Sequence, residues 1–282
     1  MISAARIPVF ALALAAALPL PRPLAAQGVL VAPHAVFIDH QSRSGSILLY
    51  NPNTEPAEVT VSTTYGYPVT DSAGRMLLNV VDAPDSTAPS AAGWVQAFPR
   101  RVTVGPLERQ TIRLLATPPA GLPDGEYWAR LVIAARGGSV PVEGVPDSTA
   151  IQVGLTLEVR TVIALLYRKG AVETGVRLSN LRAAVSGDSL EVRGRLERRG
   201  NAAFVGSVWG TLVDAAGRSR AEFTAPLAVY YDLEPRFTAP VERLEPGRYW
   251  LRLRVAPERE DLSPKVLLPA PPVSDSVEVT VP

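Results

Sequence analysis

The chain contains no cysteine and is poor in histidine and methionine, with only two of each among its 282 residues. Without cysteine it forms no disulfide, thiolate nucleophile, cysteine-ligated zinc site or iron–sulfur cluster. The two histidines, His34 and His40, would lie about 20 Å apart along one strand, too far for one metal ion to bind both. Glycine-rich phosphate loops, dinucleotide fingerprints and Gly-x-Ser-x-Gly elbows are also missing. The sequence therefore predicts a protein that is not an enzyme and has no cofactor or metal.

The chain also lacks an excess of charge of either sign. Lysine and arginine together number 28, and aspartate and glutamate 27, which gives a formal net charge of +1. Nucleic-acid binding proteins need a basic surface to neutralise phosphates. The charge balance therefore predicts no nucleic-acid partner.

Proline, by contrast, is abundant, with 27 residues alongside 21 glycines. Proline removes a helical hydrogen-bond donor and clashes with the preceding turn, so long helices are not expected. Short strands separated by turn sequences, spaced as in antiparallel sandwiches, indicate an all-β protein. We predict two tandem immunoglobulin-like β-sandwich domains, residues 27–169 and 172–282, with a boundary near Lys169–Val176.

The predicted strands are Val29–Asp39 (interrupted at Pro33), Ser46–Tyr50, Ala57–Tyr65, Trp94–Phe98, Arg101–Val104, Gln110–Ala116, Gly125–Ala135, Ser148–Tyr167, Ser189–Arg198, Gly206–Asp214, Ala221–Tyr231, Gly247–Val255 and Ser276–Val281. Two proline- and serine-rich segments, Asp82–Ala92 and Pro257–Asp275, are predicted to be long surface loops.

Residues 1–26 have the features of a cleaved signal peptide. Arg6 supplies the positive charge, an apolar run covers Ile7–Leu20, and the small residues Ala25–Ala26 form a cleavage site. The run is shorter than the roughly 20 residues that a membrane span needs. Cleavage would remove Arg6 and Arg22 and leave 26 basic against 27 acidic residues, a net charge of −1. We therefore expect a secreted protein without stable membrane insertion.

The sharpest strand pattern runs from Ser148 to Arg168. Alternating aliphatic residues share one face of this strand: Ile151, Val153, Leu155, Leu157 and Val159. One interpretation is a half-buried strand that packs on the protein's own core. The other is an edge strand that adds to a partner's sheet, where backbone hydrogen bonds give affinity and the aliphatics fill pockets. The strand is longer than the usual length of about five or six residues, which favours the second interpretation.

Short motifs in residues 28–168 follow one another in an order typical of a known family. In chain order they are Pro33-His-Ala-Val-Phe37, Leu48-Leu-Tyr-Asn51 with its proline turn, Phe98-Pro-Arg-Arg-Val102, Leu107–Leu114, Leu122–Trp128 and Ile163–Arg168. Together they resemble the N-terminal domain of the periplasmic pilus-assembly chaperones, the PapD-like family. The second domain resembles only generic immunoglobulin-like modules.

The resemblance implies donor-strand complementation in the periplasm. Such chaperones lend their G strand to pilus or fimbrial subunits whose immunoglobulin-like fold is incomplete, and an outer-membrane usher is a further candidate partner. The donor residues implied here are Val153, Leu155, Leu157 and Val159. The resemblance also implies an ion pair between Glu126 and Arg168 that holds the two domains at an angle. An exposed ion pair contributes little stability, so we expect its role to be orientation.

The chain departs from the family at the carboxylate anchor. The family's arginine and lysine, which bind the subunit's C-terminal carboxylate, are replaced here by His34 and Ala164. Alanine has no charge, and an imidazole binds a carboxylate well only when protonated, at a pH below about 6.5. Arg160 and Arg113 are candidate substitutes. These departures leave open an alternative function, a secreted tandem immunoglobulin-like structural or adhesive module without chaperone activity.

Overall fold

The computed structural model describes residues 28–139, 156–242 and 244–281, and within them it contains eighteen strands and one short 3₁₀ helix. The strands of the first half are β1 (Leu30–Ala32), β2 (Ala35–Asp39), β3 (Ser44–Tyr50), β4 (Ala57–Thr70), β5 (Met76–Val81), β6 (Val95–Phe98), β7 (Arg101–Val104), β8 (Arg109–Ala116), β9 (Gly125–Ser139) and β10 (Thr156–Lys169). Those of the second half are β11 (Thr174–Ser186), β12 (Ser189–Gly200), β13 (Phe204–Val213), β14 (Ser219–Val229), β15 (Asp232–Leu233), β16 (Arg236–Pro240), β17 (Gly247–Ala256) and β18 (Val273–Val281), with the 3₁₀ helix at Pro264–Val266. The prediction of an all-β protein is confirmed.

Two sheets of the first half enclose one hydrophobic core. The first sheet has the order β1-β3-β8-β6, and the second has the order β2-β10-β9-β4-β5, with β7 paired to β4. In β3, Ile47 and Leu49 are buried while Leu48 is exposed, as the alternation of strand side chains requires. The inward-facing side chains of both sheets form one cluster, so this half is a β-sandwich.

The first strand region changes sheets at Pro33. β1 pairs antiparallel with β3 in the first sheet, and β2 pairs parallel with β10 in the second. Proline has no N–H to donate to a strand ladder, so a break at this position suits the transition between sheets. As a result, β2 reaches only the last part of β10.

The second half is also a β-sandwich. One of its sheets has the order β11-β12-β15 with β16 paired to β12, and the other has the order β14-β13-β17-β18. Their inner faces form a second buried cluster around Phe204, Leu212 and Leu251. Every strand pair in the described residues joins strands within 30–169 or within 174–281.

Four strands were not anticipated from the sequence: β5, β11, β15 and β16. The predicted loop Asp82–Ala92 contains no strand, and Pro257–Asp275 is largely irregular, although β18 begins at Val273. Residues 148–155 of the predicted long strand and the predicted signal peptide, residues 1–26, lie outside the described residues.

Candidate functional site

β10 has two different edges. On one side it pairs antiparallel with β9 from Thr156 to Lys169, with a register irregularity between Thr156 and Glu158. On the other side it pairs with β2 only from Ala164 to Arg168. In the part of the chain that the structure describes, no strand pairs with this second edge from Thr156 to Ile163. This eight-residue stretch, the free edge of β10, presents its backbone groups for pairing with another strand.

The inner face of β10 passes from buried to exposed along the free edge. Leu165 and Tyr167 are fully buried in the first core, and Ile163 is nearly so. Further toward the start of the strand, Val159 is partly buried and Leu157 is 40% exposed. A Cβ atom at Gly28 would lie 3.2 Å from Cγ1 of Val159, so Val159 lies against the start of the described chain. Of the implied donor residues, Leu157 is therefore available to a partner, while Val153 and Leu155 lie outside the described residues.

The outer face of the same stretch carries a row of ion pairs. Glu158 accepts hydrogen bonds from Nε of Arg160 and from Nε of Arg136, both at 2.5 Å. These bonds, first that from Arg160 and then that from Arg136, lower the pKa of the Glu158 carboxyl below its usual value. Val162, on this face, is 41% exposed. Arg160 thus shares a face with Ala164, whereas Arg113 lies on β8 in the other sheet.

The two positions of the family anchor are neighbours in space. Ala164 pairs with Ala35, the residue that follows His34. The imidazole Nε2 of His34 lies 3.0 Å from Oδ2 of Asp261, which belongs to the β17–β18 loop of the second sandwich. Arg259 donates to both oxygens of Asp261, from Nε at 2.7 Å and from Nη2 at 2.5 Å. A carboxylate of the chain itself therefore occupies this side of His34.

Arg259 stabilises the ionised form of this carboxylate. Its hydrogen bonds and charge, with a smaller contribution from His34, lower the pKa of Asp261 from 3.8 to about 2. The carboxylate of Asp261 therefore keeps its negative charge to a lower pH than an ordinary aspartate, and its side chain remains 45% exposed. The loop that carries it also accepts a hydrogen bond from Arg168 Nη1 at the carbonyl oxygen of Val266, at 2.6 Å.

Glu126 and Arg168 lie in contact at the junction of the two sandwiches. Nε of Arg168 donates to Oε2 of Glu126 at 2.7 Å, and the Arg168 guanidinium lies 4.8 Å from the ring centre of Phe37. Oε1 of Glu126 accepts hydrogen bonds from Trp128 Nε1 and from the backbone N–H of Ala203, each at 2.9 Å. The pair is buried rather than exposed, and the second sandwich contributes to it the backbone N–H of Ala203 and the carbonyl oxygen of Val266.

Aromatic side chains complete the junction, a role that their positions in the sequence did not predict. Trp128 packs edge-on against Tyr230, with ring centres 4.7 Å apart, and Tyr65 shares a hydrogen bond of 2.8 Å with the hydroxyl of Tyr231. Tyr65, Trp128 and Tyr230 form a small cluster of their own with Leu166 and Ala203, separate from the two larger cores. The closely spaced tyrosines within β4 and directly after β14 were the sequence feature that could have indicated this cluster.

The described residues show no arrangement of three or more histidine, cysteine, aspartate or glutamate side chains that would hold a metal ion. In the same residues, no helix has the length and apolar character needed to cross a membrane.

Comparison with known proteins gives matches among solved structures only. No protein-family model and no curated protein sequence matches the chain. The chaperone DraB of E. coli is 13% identical, with 80% of this chain and 89% of DraB covered and a TM-score of 0.41. The chaperone CupB2 of Pseudomonas aeruginosa is 13% identical, with coverage of 90% and 100% and a TM-score of 0.42. The complex of CsuC with the tip adhesion subunit CsuE, from the chaperone–usher Csu pili of Acinetobacter baumannii, matches at 12% identity with coverage of 90% and 98% and a TM-score of 0.44. The chain is thus similar to solved chaperones, among them one of pilus assembly.

Proposed function

We propose that the chain is a periplasmic chaperone-like protein that binds pilus, fimbrial or other surface subunits by donor-strand addition. The binding element is the free edge of β10. In this proposal the signal peptide directs the chain out of the cytoplasm, and the activity requires no reactive side chain. The partner is a protein subunit with an incomplete immunoglobulin-like fold.

The observation that carries the proposal is the stretch Thr156–Ile163, whose second edge pairs with no strand among the described residues. It is longer than a typical strand of about five or six residues, so it offers enough backbone for a complete strand pairing. A sheet edge of this kind is a template for a further strand. Binding by strand addition uses these backbone groups for affinity and alternate side chains for specificity.

The side chains offered to the partner lie on the inner face of β10. Leu157 is the exposed member in the described residues, and Val159 follows it toward the core. Val153 and Leu155 extend the same set by the period of two. The partner would therefore receive a row of aliphatic side chains from this strand.

The carboxylate anchor works differently in this proposal. Ala164 offers no charge, and His34 already contacts Asp261. A subunit's carboxylate would have to displace Asp261, which Arg259 holds in place. Strand pairing along β10 therefore provides most of the affinity, and no carboxylate clamp is required.

Periplasmic co-expression with candidate pilus subunits tests the proposal. The wild-type chain should co-purify with a subunit, and Leu157→Glu should abolish co-purification because it places a charge in the partner's apolar groove. Leu115→Glu is the matched control, since Leu115 is 48% exposed on β8 of the other sheet, and it should bind like the wild type.

Circular dichroism and urea unfolding of both variants complete the experiment. We expect both to stay folded, because both side chains are substantially exposed. If Leu157→Glu unfolds the chain, Leu157 belongs to the protein's own core and the donor assignment is wrong. If folded Leu157→Glu still co-purifies, the free edge of β10 is not the binding element.

The contact between His34 and Asp261 favours a second candidate, a tandem immunoglobulin-like structural or adhesive module without chaperone activity. In that case the β17–β18 loop stays in contact with the first sandwich and supports it structurally. The same co-expression distinguishes the two functions, since a structural module should not co-purify with a pilus subunit.

A further inference from the structure

Three arginines form a row across the outer face of one sheet of the second sandwich. Arg193 on β12 lies opposite Arg182 on β11 and, on its other side, opposite Arg236 on β16. Residues directly opposite each other on neighbouring strands have Cβ atoms about 4.5–5.5 Å apart, and like charges at such positions destabilise a sheet. The side chains of Arg182, Arg193 and Arg236 are 62%, 24% and 38% exposed. The protein therefore places three positive charges side by side where an anion from solvent can reach them.

The position of Arg182 in this row depends on a bulge in β11. Between the paired positions, β11 advances three residues, from Ser179 to Arg182, while β12 advances two. Asn180 in the bulge has a φ of 53°, a conformation that asparagine adopts more readily than most residues. Without the extra residue, Leu181 instead of Arg182 would lie opposite Arg193. Bulges commonly redirect a side chain beside a functional site.

The acids that contact the row do not neutralise it. Glu191 is shared by two of the arginines, with Oε1 2.9 Å from Nε of Arg193 and Oε2 3.3 Å from Nη1 of Arg236. Arg182 contacts Glu234 through Nη2. Two carboxylates thus serve three guanidiniums, which leaves one positive charge in excess. Each guanidinium has five N–H donors, so most of the donors in the row are not used by these two acids.

Neighbouring charges in the described part of the chain do not supply a third acid. The backbone N–H of Arg236 donates to the Gly74 carbonyl oxygen of the β4–β5 hairpin at 2.8 Å, but Arg75 and Asp71 of that hairpin pair with each other. Asp188, in the β11–β12 turn, is five residues from the centre of the row, about 17 Å at strand rise. Elsewhere on the same face three more arginines share two acids: Arg177, Arg195, Arg199, Glu197 and Asp232. The positive excess is local, because the whole chain has a formal net charge of only +1.

We propose that Arg182, Arg193 and Arg236 bind a phosphate monoester or a free phosphate ion. A phosphate group carries about 1.5 to 2 negative charges at neutral pH and has three strong acceptor oxygens, so each of three adjacent guanidiniums can donate to it. The planar fork of N–H donors on arginine matches the geometry of phosphate oxygens. The same group occurs on the free ion and on the headgroup of phosphatidic acid, and vesicles distinguish these two sources.

Titration of the full chain with inorganic phosphate at constant ionic strength tests the proposal. The guanidinium Nε–H signals of the three arginines should shift in NMR spectra. Arg193→Gln should raise the phosphate dissociation constant at least about tenfold, because it removes a charged donor from the centre of the row. Arg252→Gln is the matched control: Arg252 is exposed on β17, opposite Thr211 and Ser276 instead of another arginine, and its loss should leave binding unchanged.

Glu191→Gln provides a second measurement with the opposite sign. It removes the carboxylate that competes for two of the guanidiniums, so it should lower the phosphate dissociation constant about threefold. Circular dichroism reports whether the variants are folded, and if Arg193→Gln is unfolded, Glu191→Gln decides the question. A folded Arg193→Gln with the affinity of the wild type, or weaker phosphate binding by Glu191→Gln, would overturn the proposal.

Cosedimentation with phosphatidylcholine vesicles, with and without phosphatidic acid, identifies the source of the phosphate. Binding that requires phosphatidic acid and is weakened by Arg193→Gln assigns a lipid headgroup. Binding of inorganic phosphate without vesicle binding assigns the free ion. If the wild type binds neither probe, the proposal is wrong. The site does not depend on chaperone activity.

Discussion

Glu126 and Arg168 form a buried ion pair at a point where both sandwiches contribute hydrogen-bond donors to one carboxylate. The Glu126 side chain is fully buried and that of Arg168 is 15% exposed. Three donors converge on Glu126: the Arg168 guanidinium, the Trp128 indole and the Ala203 backbone N–H of the second sandwich. The carboxylate therefore joins the end of β10 to the start of β13 through one set of hydrogen bonds.

Replacing this carboxylate should be costly. We expect Glu126→Ala to lower the free energy of unfolding by about 3–5 kcal/mol, because it leaves a buried guanidinium without its counter-charge and two N–H groups without an acceptor. Urea unfolding measures the change. Asp124→Ala is the control: Asp124 binds Lys169 and the backbone N–H of Ala171 at an exposed site, so its loss should cost much less than that of Glu126. Equal losses in the two variants would contradict the assignment.

Arg259 should control the titration of Asp261. The pKa of Asp261 lies at about 2 instead of 3.8, so the folded state gains stability from this group above pH 3.8 and loses it as the pH falls toward 2. We expect Arg259→Gln to move the pKa of Asp261 back toward 3.8, and His34→Ala to move it much less, because Arg259 is the larger cause. Carboxyl carbon shifts measured by NMR between pH 1.5 and pH 6, a range of about 2 units on either side of the ordinary value, report the change. A larger effect from His34→Ala would contradict this order.

Gly200 and Gly187 should respond differently to alanine although both have a positive φ, +81° and +60°. A Cβ at Gly200 would lie 2.2 Å from the carbonyl oxygen of Glu173, which accepts hydrogen bonds from the N–H groups of Asn201 and Ala202. At Gly187, nothing lies within 4 Å of the added Cβ. Gly187→Ala should cost about 1–2 kcal/mol from the left-handed backbone alone.

Gly200→Ala should cost about 3 kcal/mol or more, because backbone that is already hydrogen-bonded must move as well. Thermal and urea unfolding of the two variants measure the difference. Similar losses of stability would show that the Glu173 carbonyl moves away from the added methyl group at no cost in free energy.

The hydroxyl of Tyr65 should make the junction sensitive to alkali. Burial, and then the hydrogen bond with Tyr231, raise the pKa of Tyr65 above its ordinary value of 10. The unfolded chain therefore releases this proton first, so the stability contribution is complete below about pH 10 and is lost as the pH rises further. Tyr65→Phe should lower the free energy of unfolding by about 1 kcal/mol at neutral pH. It should also make the decrease of that free energy above about pH 10 less steep.

Urea midpoints measured between neutral pH and about pH 11.5 report this effect, since a tyrosine ordinarily titrates near pH 10. Burial also raises the pKa of Tyr230, so part of the decline should remain in the variant. Parallel profiles for the wild type and Tyr65→Phe would contradict the prediction.

Local patterns in the sequence predicted much of the fold. Most strands with a regular alternation, such as β3 and β8, were located to within two residues, and the interruption at Pro33 marked the change of sheets. β11 was missed because its alternation changes phase: a register irregularity between Ser179 and Arg182, with Asn180 at a φ of 53°, shifts the apolar residues to the other parity. β5 was missed because its apolar residues lie on both faces and do not alternate with polar ones.

The candidate site was only partly predictable for a different reason. The aliphatic pattern of β10 identified the strand but not its partner on each edge, since pairing with β2 depends on contacts between distant parts of the chain. The same holds for Asp261, which no spacing rule connects to His34 across 227 residues. The ion pair of Glu126 with Arg168 came from the family resemblance, and its burial followed only from the packing of the second sandwich.

The pairing of Ala35 with Ala164 has a consequence for the order in which the protein assembles. A nascent chain that leaves the ribosome or a translocation channel from its N-terminus cannot complete the first sandwich until Lys169 has emerged. Contacts this far apart in sequence close slowly. Until then, the edges of β9 and β2 that pair with β10 lack their backbone partner. β10 is thus the last strand of the first sandwich to emerge. Its C-terminal part closes the sandwich by pairing with β2, and its N-terminal part carries the free edge.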